Sequence, residues 1–208
     1  MKTLATLLLS ISILPLLAQE HIQVPPPEEQ IAAAVLAAGP EQRDGAMVYG
    51  YDAEGNFIVL RAGTNELICL ADNPFTPGFE VDCYHKDLEP FMARSRELRA
   101  QGKTNPEIFA IKEKEAREGK LKMPDKPVAL QVLSGPDGYY DPATGKVENA
   151  RYRYVVYVPF ATQESTGLPI KPVVYGGAWL MDPGTHRAHI MIGPPPNTRR
   201  YVMKKKKE

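Results

Sequence analysis

The pattern of apolar and polar positions changes period several times along this chain, and each change marks an element. A predominantly apolar run from Leu4 to Leu17 comes first, followed by a β-rich block, a charged helical block, a second β-rich block and a basic tail. After the prolines at 25–27, Ile31, Ala34, Val35 and Ala38 recur at i, i+3, i+4 and i+7, with Gly39 and Pro40 as a stop. That spacing predicts a short amphipathic helix lying across a sheet. MVYGY (47–51) and FIVLRA (57–62) read as strands joined by DAEGN, whose Asp, Gly and Asn suit a tight hairpin turn. ELICLA (66–71) and FEVDCYH (79–85) read as two more.

From Asp87 the period lengthens, and Leu88, Phe91, Met92 and Leu98 form a helical stripe that ends near Gly102. Thr104 can cap a second helix, with Pro106 in its first turn, Glu107 completing a capping box and Gly119 placed to end it. Its run IKEKEAREGK sets Glu113 four residues before Arg117 and Lys114 four before Glu118. This reads as a solvated helix surface with weak ion pairs. Strand period returns in VALQVLS (128–134) and RYRYVVYV (151–158). In the latter, Tyr152, Tyr154, Val156 and Val158 point one way, and Arg151, Arg153, Val155 and Tyr157 the other. Arginines interleaved with tyrosines could stack on an oligonucleotide, but tyrosine alternating with valine is what a half-buried strand prefers. We read an ordinary strand.

No internal repeat is present, and the blocks predict a single α+β domain over 46–196. Its core is an antiparallel or mixed sheet with the helical pair, about 87–119, packed on it. Residues 19–45 form a proline-rich leader with the short helix, and 197–208 a basic, disordered tail. The chain is 43% hydrophobic and 24% charged, as globular domains are, which excludes disorder throughout. With 25 basic and 25 acidic side chains there is no general attraction to nucleic acid, and no nucleic-acid partner is expected.

Lys2, the apolar run, and Ala18 ahead of Gln19, Glu20 and His21 follow the order of a secretory signal peptide spanning 1–18, cleaved near Ala18–Gln19. The run is shorter than the roughly 20 residues that span a bilayer, and no second one follows. The mature chain is therefore expected to be secreted or periplasmic, without a transmembrane segment. Export makes the cysteines readable. Cys69 and Cys83 are the only pair, and Pro74, Pro77 and Gly78 can turn the chain between them, so a Cys69–Cys83 disulfide is expected. Closing a loop of about 15 residues stabilises by about 3 kcal/mol in the chain-entropy account. A redox pair or a two-thiolate metal site is the alternative, but redox cysteines usually sit two residues apart and two thiolates do not complete a zinc shell.

Candidate chemistry gathers in GGAWLMDPGTHRAHIMIGPPP (176–196). His186 and His189 would share a face on a helix, but the surrounding Pro and Gly residues favour a strand, on which the two histidines diverge. His189 and Met191 then stand side by side, and with His85 from elsewhere could hold copper or zinc; otherwise no cofactor is expected. A methionine on a strand also serves as plain core filling. No G-x-S-x-G, H-E-x-x-H, S-x-x-K or glycine-rich phosphate loop occurs. Asp137 and Asp141, the nearest carboxylate pair to consider, sit among Pro136, Gly138 and Pro142 and read as turn residues.

Gly63, Thr64, Asn65, Cys69, Asp72, Thr76, Pro77, Gly78 and Cys83 form a block that resembles one in uncharacterised exported bacterial proteins. STGLPI (165–170) with GGAWLMDPGTHRAHIMI (176–192) is similar to the end of such proteins. The resemblance implies a secreted α+β fold and brings no activity with it. The leading expectation is a non-catalytic envelope protein that binds an envelope or extracellular partner or ligand. The alternative is a metal-binding protein or hydrolytic enzyme using the segment around His186, His189 and Met191.

Overall fold

The structure is a computed structural model describing residues 23–174 and 176–193. The expected signal peptide at 1–18, its cleavage point and the basic tail at 197–208 lie outside the described residues. Helix α1 (Pro27–Ala34) continues as a 3-10 turn over Val35–Ala37. Proline opens it with a fixed φ where no amide donor is needed, and Glu28 and Glu29 meet the positive end of its dipole. Strands β1 (Met47–Tyr51) and β2 (Phe57–Arg61) form the expected antiparallel hairpin. Asp52 sets its turn, its Oδ1 accepting from the amides of Glu54 and Asn56 at 3.0 and 2.8 Å while Gly55 takes a φ of +84°.

Strand β3 (Leu67–Leu70) runs parallel to β1 and antiparallel to β4 (Phe79–His85). Cys69 and Cys83 face each other across the β3–β4 ladder and are joined by a disulfide that closes the intervening loop, as expected. Helices α2 (Glu89–Ala100) and α3 (Asn105–Arg117) follow. The Thr104 amide donates to Glu107 Oε2 at 2.8 Å, as the capping-box spacing requires. Next come β5 (Val128–Gly135), the small hairpin of β6 (Tyr139–Asp141) and β7 (Lys146–Glu148), and β8 (Arg151–Tyr157). Asp137 is a turn residue as expected, whereas Asp141 ends β6, and its side chain holds the turn that follows by accepting from the Ala143 amide and the Thr144 hydroxyl. After a one-turn α4 (Gln163–Thr166), β9 (Trp179–Met181) and β10 (His189–Ile192) complete the described chain.

Eight strands form one sheet in the order β2-β1-β3-β4-β5-β8-β10-β9. The β1–β3 pair is parallel and its other pairings are antiparallel, so the fold is a single α+β domain on a mixed sheet. On one face Val48, Cys69, Val81, Cys83 and Leu133 pack under Ala33, Ala34, Ala37 and Ala38. Small side chains let α1 lie close to the disulfide. Gln30 is buried and ties α1 to β1, exchanging hydrogen bonds with the backbone of Tyr51 at 2.8 Å each. Gly50 is needed for this approach, since a Cβ there would come within 2.5 Å of Gln30 Oε1. The opposite face carries Tyr84, Leu130, Val132, Val155 and Tyr157, which pack against Leu88 and Phe91 where α2 begins. Among the described residues no helix is long and apolar enough to cross a membrane.

Candidate functional site

Strand alternation places His85 on the Cys83 side of the sheet, whereas His189 and Met191 lie opposite Tyr157 and Val155 on the other side. His189 and Met191 are therefore neighbours on one face, and His85 does not join them. His85 Nδ1 accepts from the Asp87 amide at 3.1 Å, and Met191 packs into the aromatic core. Among the described residues no group of three or more His, Cys, Asp or Glu could hold a metal ion, and no cysteine is free.

His186 departs from the strand geometry expected for it. The strand starts only at His189, and the preceding residues turn on hydrogen bonds from the Thr185 amide to Asp182 O and from the Ala188 amide to Thr185 O. Asp182 and Phe160, which pack this turn in place, adopt left-handed φ values of 49° and 63°. Such backbone costs roughly 1–3 kcal/mol per residue and persists only where surroundings enforce it. The result is that both histidines meet one aromatic cluster. His186 is 1% exposed between Phe91 and Phe109, with ring centroids at 5.8 and 5.0 Å. His189 packs on Tyr157 at 5.4 Å, and Tyr157 on Phe91 at 5.1 Å.

The helix α3 face that reads as solvated also turns partly inward. Glu113 Oε2 accepts from the His186 amide at 2.8 Å and meets its Nδ1 at 2.6 Å. Burial pushes the Glu113 carboxyl up, but hydrogen bonds from His186 and Arg117 more than offset this and hold it below the usual range. A carboxylate only accepts, so Nδ1 of His186 carries the proton. Burial lowers His186, against the pull of Glu113, and favours the neutral ring. Lys112 is 2% exposed. Its ammonium donates to Phe91 O at 2.8 Å and to the Ser95 hydroxyl, and stands 3.1 Å from the centre of the Phe91 ring. Burial, then the charges of Arg99 and Arg187, lower it to about 7.

Between the helices and the sheet lies a cleft of about 290 Å³. Its cations are Arg96 and Arg99 from α2, Lys112 from α3, and Arg187 from the turn beside His186; Glu80 and Asp82 are its carboxyls. Phe91, Met92, Phe109 and Tyr157 supply apolar wall. Arg96 is held by Glu89 and by the Tyr84 hydroxyl, and Arg187 by Asp182 at 2.7 Å. Glu80 is matched by Arg153 at 3.0 Å. Asp82 is the anomaly. As a residue it is partly exposed to the cleft, yet its Oδ1 is enclosed and accepts no hydrogen bond. Burial, then the neighbouring Glu80 charge, push the carboxyl up to about 7, against Arg153.

No family model matches this chain, and neither a curated protein nor a solved structure matches it. Function has to be read from the cleft. None of its charged residues stood out as chemistry in the sequence, although the periods carry a signal for two of them. Lys112 falls four residues after the buried Ile108, on the inward stripe of α3. Asp82 alternates with Tyr84 on β4 and so must face the helices, where a carboxyl is out of place.

Proposed function

We propose that the protein is exported and that it binds a small anionic ligand in the cleft between α2, α3 and the sheet. One observation carries the reading: Arg96, Arg99, Lys112 and Arg187, drawn from three separate segments, line the same cavity. Pairing offsets Glu80 with Arg153, Arg96 with Glu89 and Arg187 with Asp182, and burial draws Asp82 and Lys112 alike toward their neutral forms, so Arg99 supplies the charge that the cavity offers an anion beyond its internal pairs. Guanidinium groups held by their own partners are preorganised to receive a carboxylate or phosphate without losing further side-chain freedom. The apolar wall of Phe91, Phe109 and Tyr157 gives such a ligand a body as well as a charge to be recognised by.

Export is supported by the leader pattern, by a disulfide that an oxidising compartment would maintain, and by the resemblance to exported bacterial proteins. A mature N-terminus at Gln19 on protein recovered from the producing cell's exterior or periplasm is the expected result. For the ligand, calorimetric titration of the full mature chain with benzoate, succinate, 3-phenylpropionate and inorganic phosphate tests the reading. At least one anion should bind saturably, and Arg99→Ala combined with Arg187→Ala should weaken it by about tenfold or more. Saturable binding by none of these anions would sink it.

A further inference from the structure

We propose that two copies of this chain associate through strand β2, pairing antiparallel about a two-fold axis at Ile58 and joining their sheets edge to edge.

The two edges of the sheet end differently. Strand β9 is short, and its Leu180 amide donates to Pro169 O at 2.8 Å, so the chain itself covers that edge. At the other end β2 pairs with β1 alone among the described residues. An uncovered edge presents a row of unpaired amides and carbonyls, and proteins usually blunt it with lysine, proline or an outward charge. Phe57, Ile58, Val59 and Leu60 offer none of these. Arg61, the one charged residue of the strand, turns back, its guanidinium donating to Ala46 O at 3.0 Å and to Arg43 O. Ile58 and Val59 stand 39% and 48% exposed on opposite faces.

The hairpin register decides which backbone groups are free. The Asp52 amide donates to Asn56 O at 3.0 Å, and by antiparallel alternation Gly50 and Ile58 form the next hydrogen-bonded pair. Ile58 therefore commits its amide and carbonyl to β1, whereas Phe57 and Val59 turn theirs outward. The register shift falls at Leu60 and leaves these three residues regular. They are self-matched. With Ile58 on the two-fold, Phe57 of each copy lies opposite Val59 of the other and exchanges both hydrogen bonds with it, while Ile58 meets Ile58. The same axis brings Glu54, exposed in the turn, toward Arg61 of the other copy, so the ends of the contact attract. With 25 basic and 25 acidic side chains, two copies carry no net charge to hold them apart. The contact is short, which makes the dimer a reversible one.

Sedimentation equilibrium of the full mature chain tests this over about 5–500 µM, where a monomer–dimer equilibrium with a Kd on the order of 10–100 µM is expected. Val59→Pro removes one outward amide and keeps the β1 pairing, since proline is tolerated on an edge strand when its nitrogen faces solvent. It should abolish the dimer. Ile58→Lys, at an exposed position, sets like charges together on the axis and should weaken association by about tenfold or more; melting curves confirm that each variant is folded. In wild type, hydrogen exchange at the Phe57 and Val59 amides should slow as the dimer fills, while the Ile58 amide, already bonded to β1, does not change. A monomer at every concentration overturns the proposal and leaves the edge to an extended segment of another protein. A dimer that survives Val59→Pro or Ile58→Lys in folded protein, or that forms without protecting Phe57 and Val59, uses another surface and overturns it equally.

Discussion

The disulfide face and the aromatic face share the central strands of one sheet and differ in what covers them. Over Cys69 and Cys83, α1 brings alanines, and the one buried polar side chain it contributes, Gln30, has its partners in the backbone of Pro25 and Tyr51. Over Tyr84 and Tyr157, α2 and α3 bring aromatics, arginines and a buried lysine, and they leave a cleft with an unsatisfied carboxyl on its floor. The first arrangement leaves its buried polar side chain satisfied. The second holds groups that burial disfavours, and a fold keeps these where they do something other than stabilise.

Removing the disulfide should have the largest effect on this contrast. Cys69→Ala with Cys83→Ala is expected to cost about 3 kcal/mol in chemical denaturation, the loop being about 15 residues long. Titration of the reduced-loop variant should still detect any cleft ligand at temperatures where it is folded, because the two faces have separate cores. Loss of binding in folded protein would break the comparison.

Asp82→Asn should stabilise by about 2 kcal/mol above pH 7, an unusual sign for a polar change in a strand. The folded-state pKa of Asp82 is raised to about 7 from 3.8, so its contribution to stability is lost as pH rises from 3.8 toward 7. Lys112 is lowered from 10.5 to about 7, so the unfolded chain binds its proton first and stability recovers as pH rises from 7 toward 10.5. Together they produce a local minimum of stability near neutrality, which thermal melts across pH 4–10 would detect in wild type and not in Asp82→Asn with Lys112→Met. A flat profile in wild type would mean that the cleft is no more burdened than the opposite face.

Glu113→Ala should cost about 1–2 kcal/mol by leaving the amide and ring of the buried His186 without an acceptor. Lys114→Ala, three-quarters exposed and 4.0 Å from Glu118, should leave the melting temperature unchanged. The pair shows how differently adjacent residues of one charged run behave.

The hairpin at 52–56, the Thr104 capping box, the disulfide and the strand periods could all be read from the chain, because each depends on residues close in sequence or on the only available cysteine pair. The ion pairs expected along IKEKEAREGK form between Glu113 and Arg117 and between Lys114 and Glu118, but the solvated reading failed for Lys112, which is buried, and for the side of Glu113 that holds His186. Local ion-pair spacing cannot register a turn arriving from residues 182–188 to cover that helix. For the same reason His186 and His189, which diverge on a continuous strand, came to share an aromatic cluster once the strand began at His189.

The order and kind of the elements were legible along the chain, since period, caps and turns are local physics. Which charges are buried was settled by the folded assembly. Asp82, Lys112, Arg99 and Arg187 lie on segments 13 or more residues apart except where a helix or turn carries them, and they meet because the sheet order sets β4 beneath α2 and α3. Burial and mutual charge, unlike helix or strand preference, arise from that assembly and are absent from any single stretch of chain.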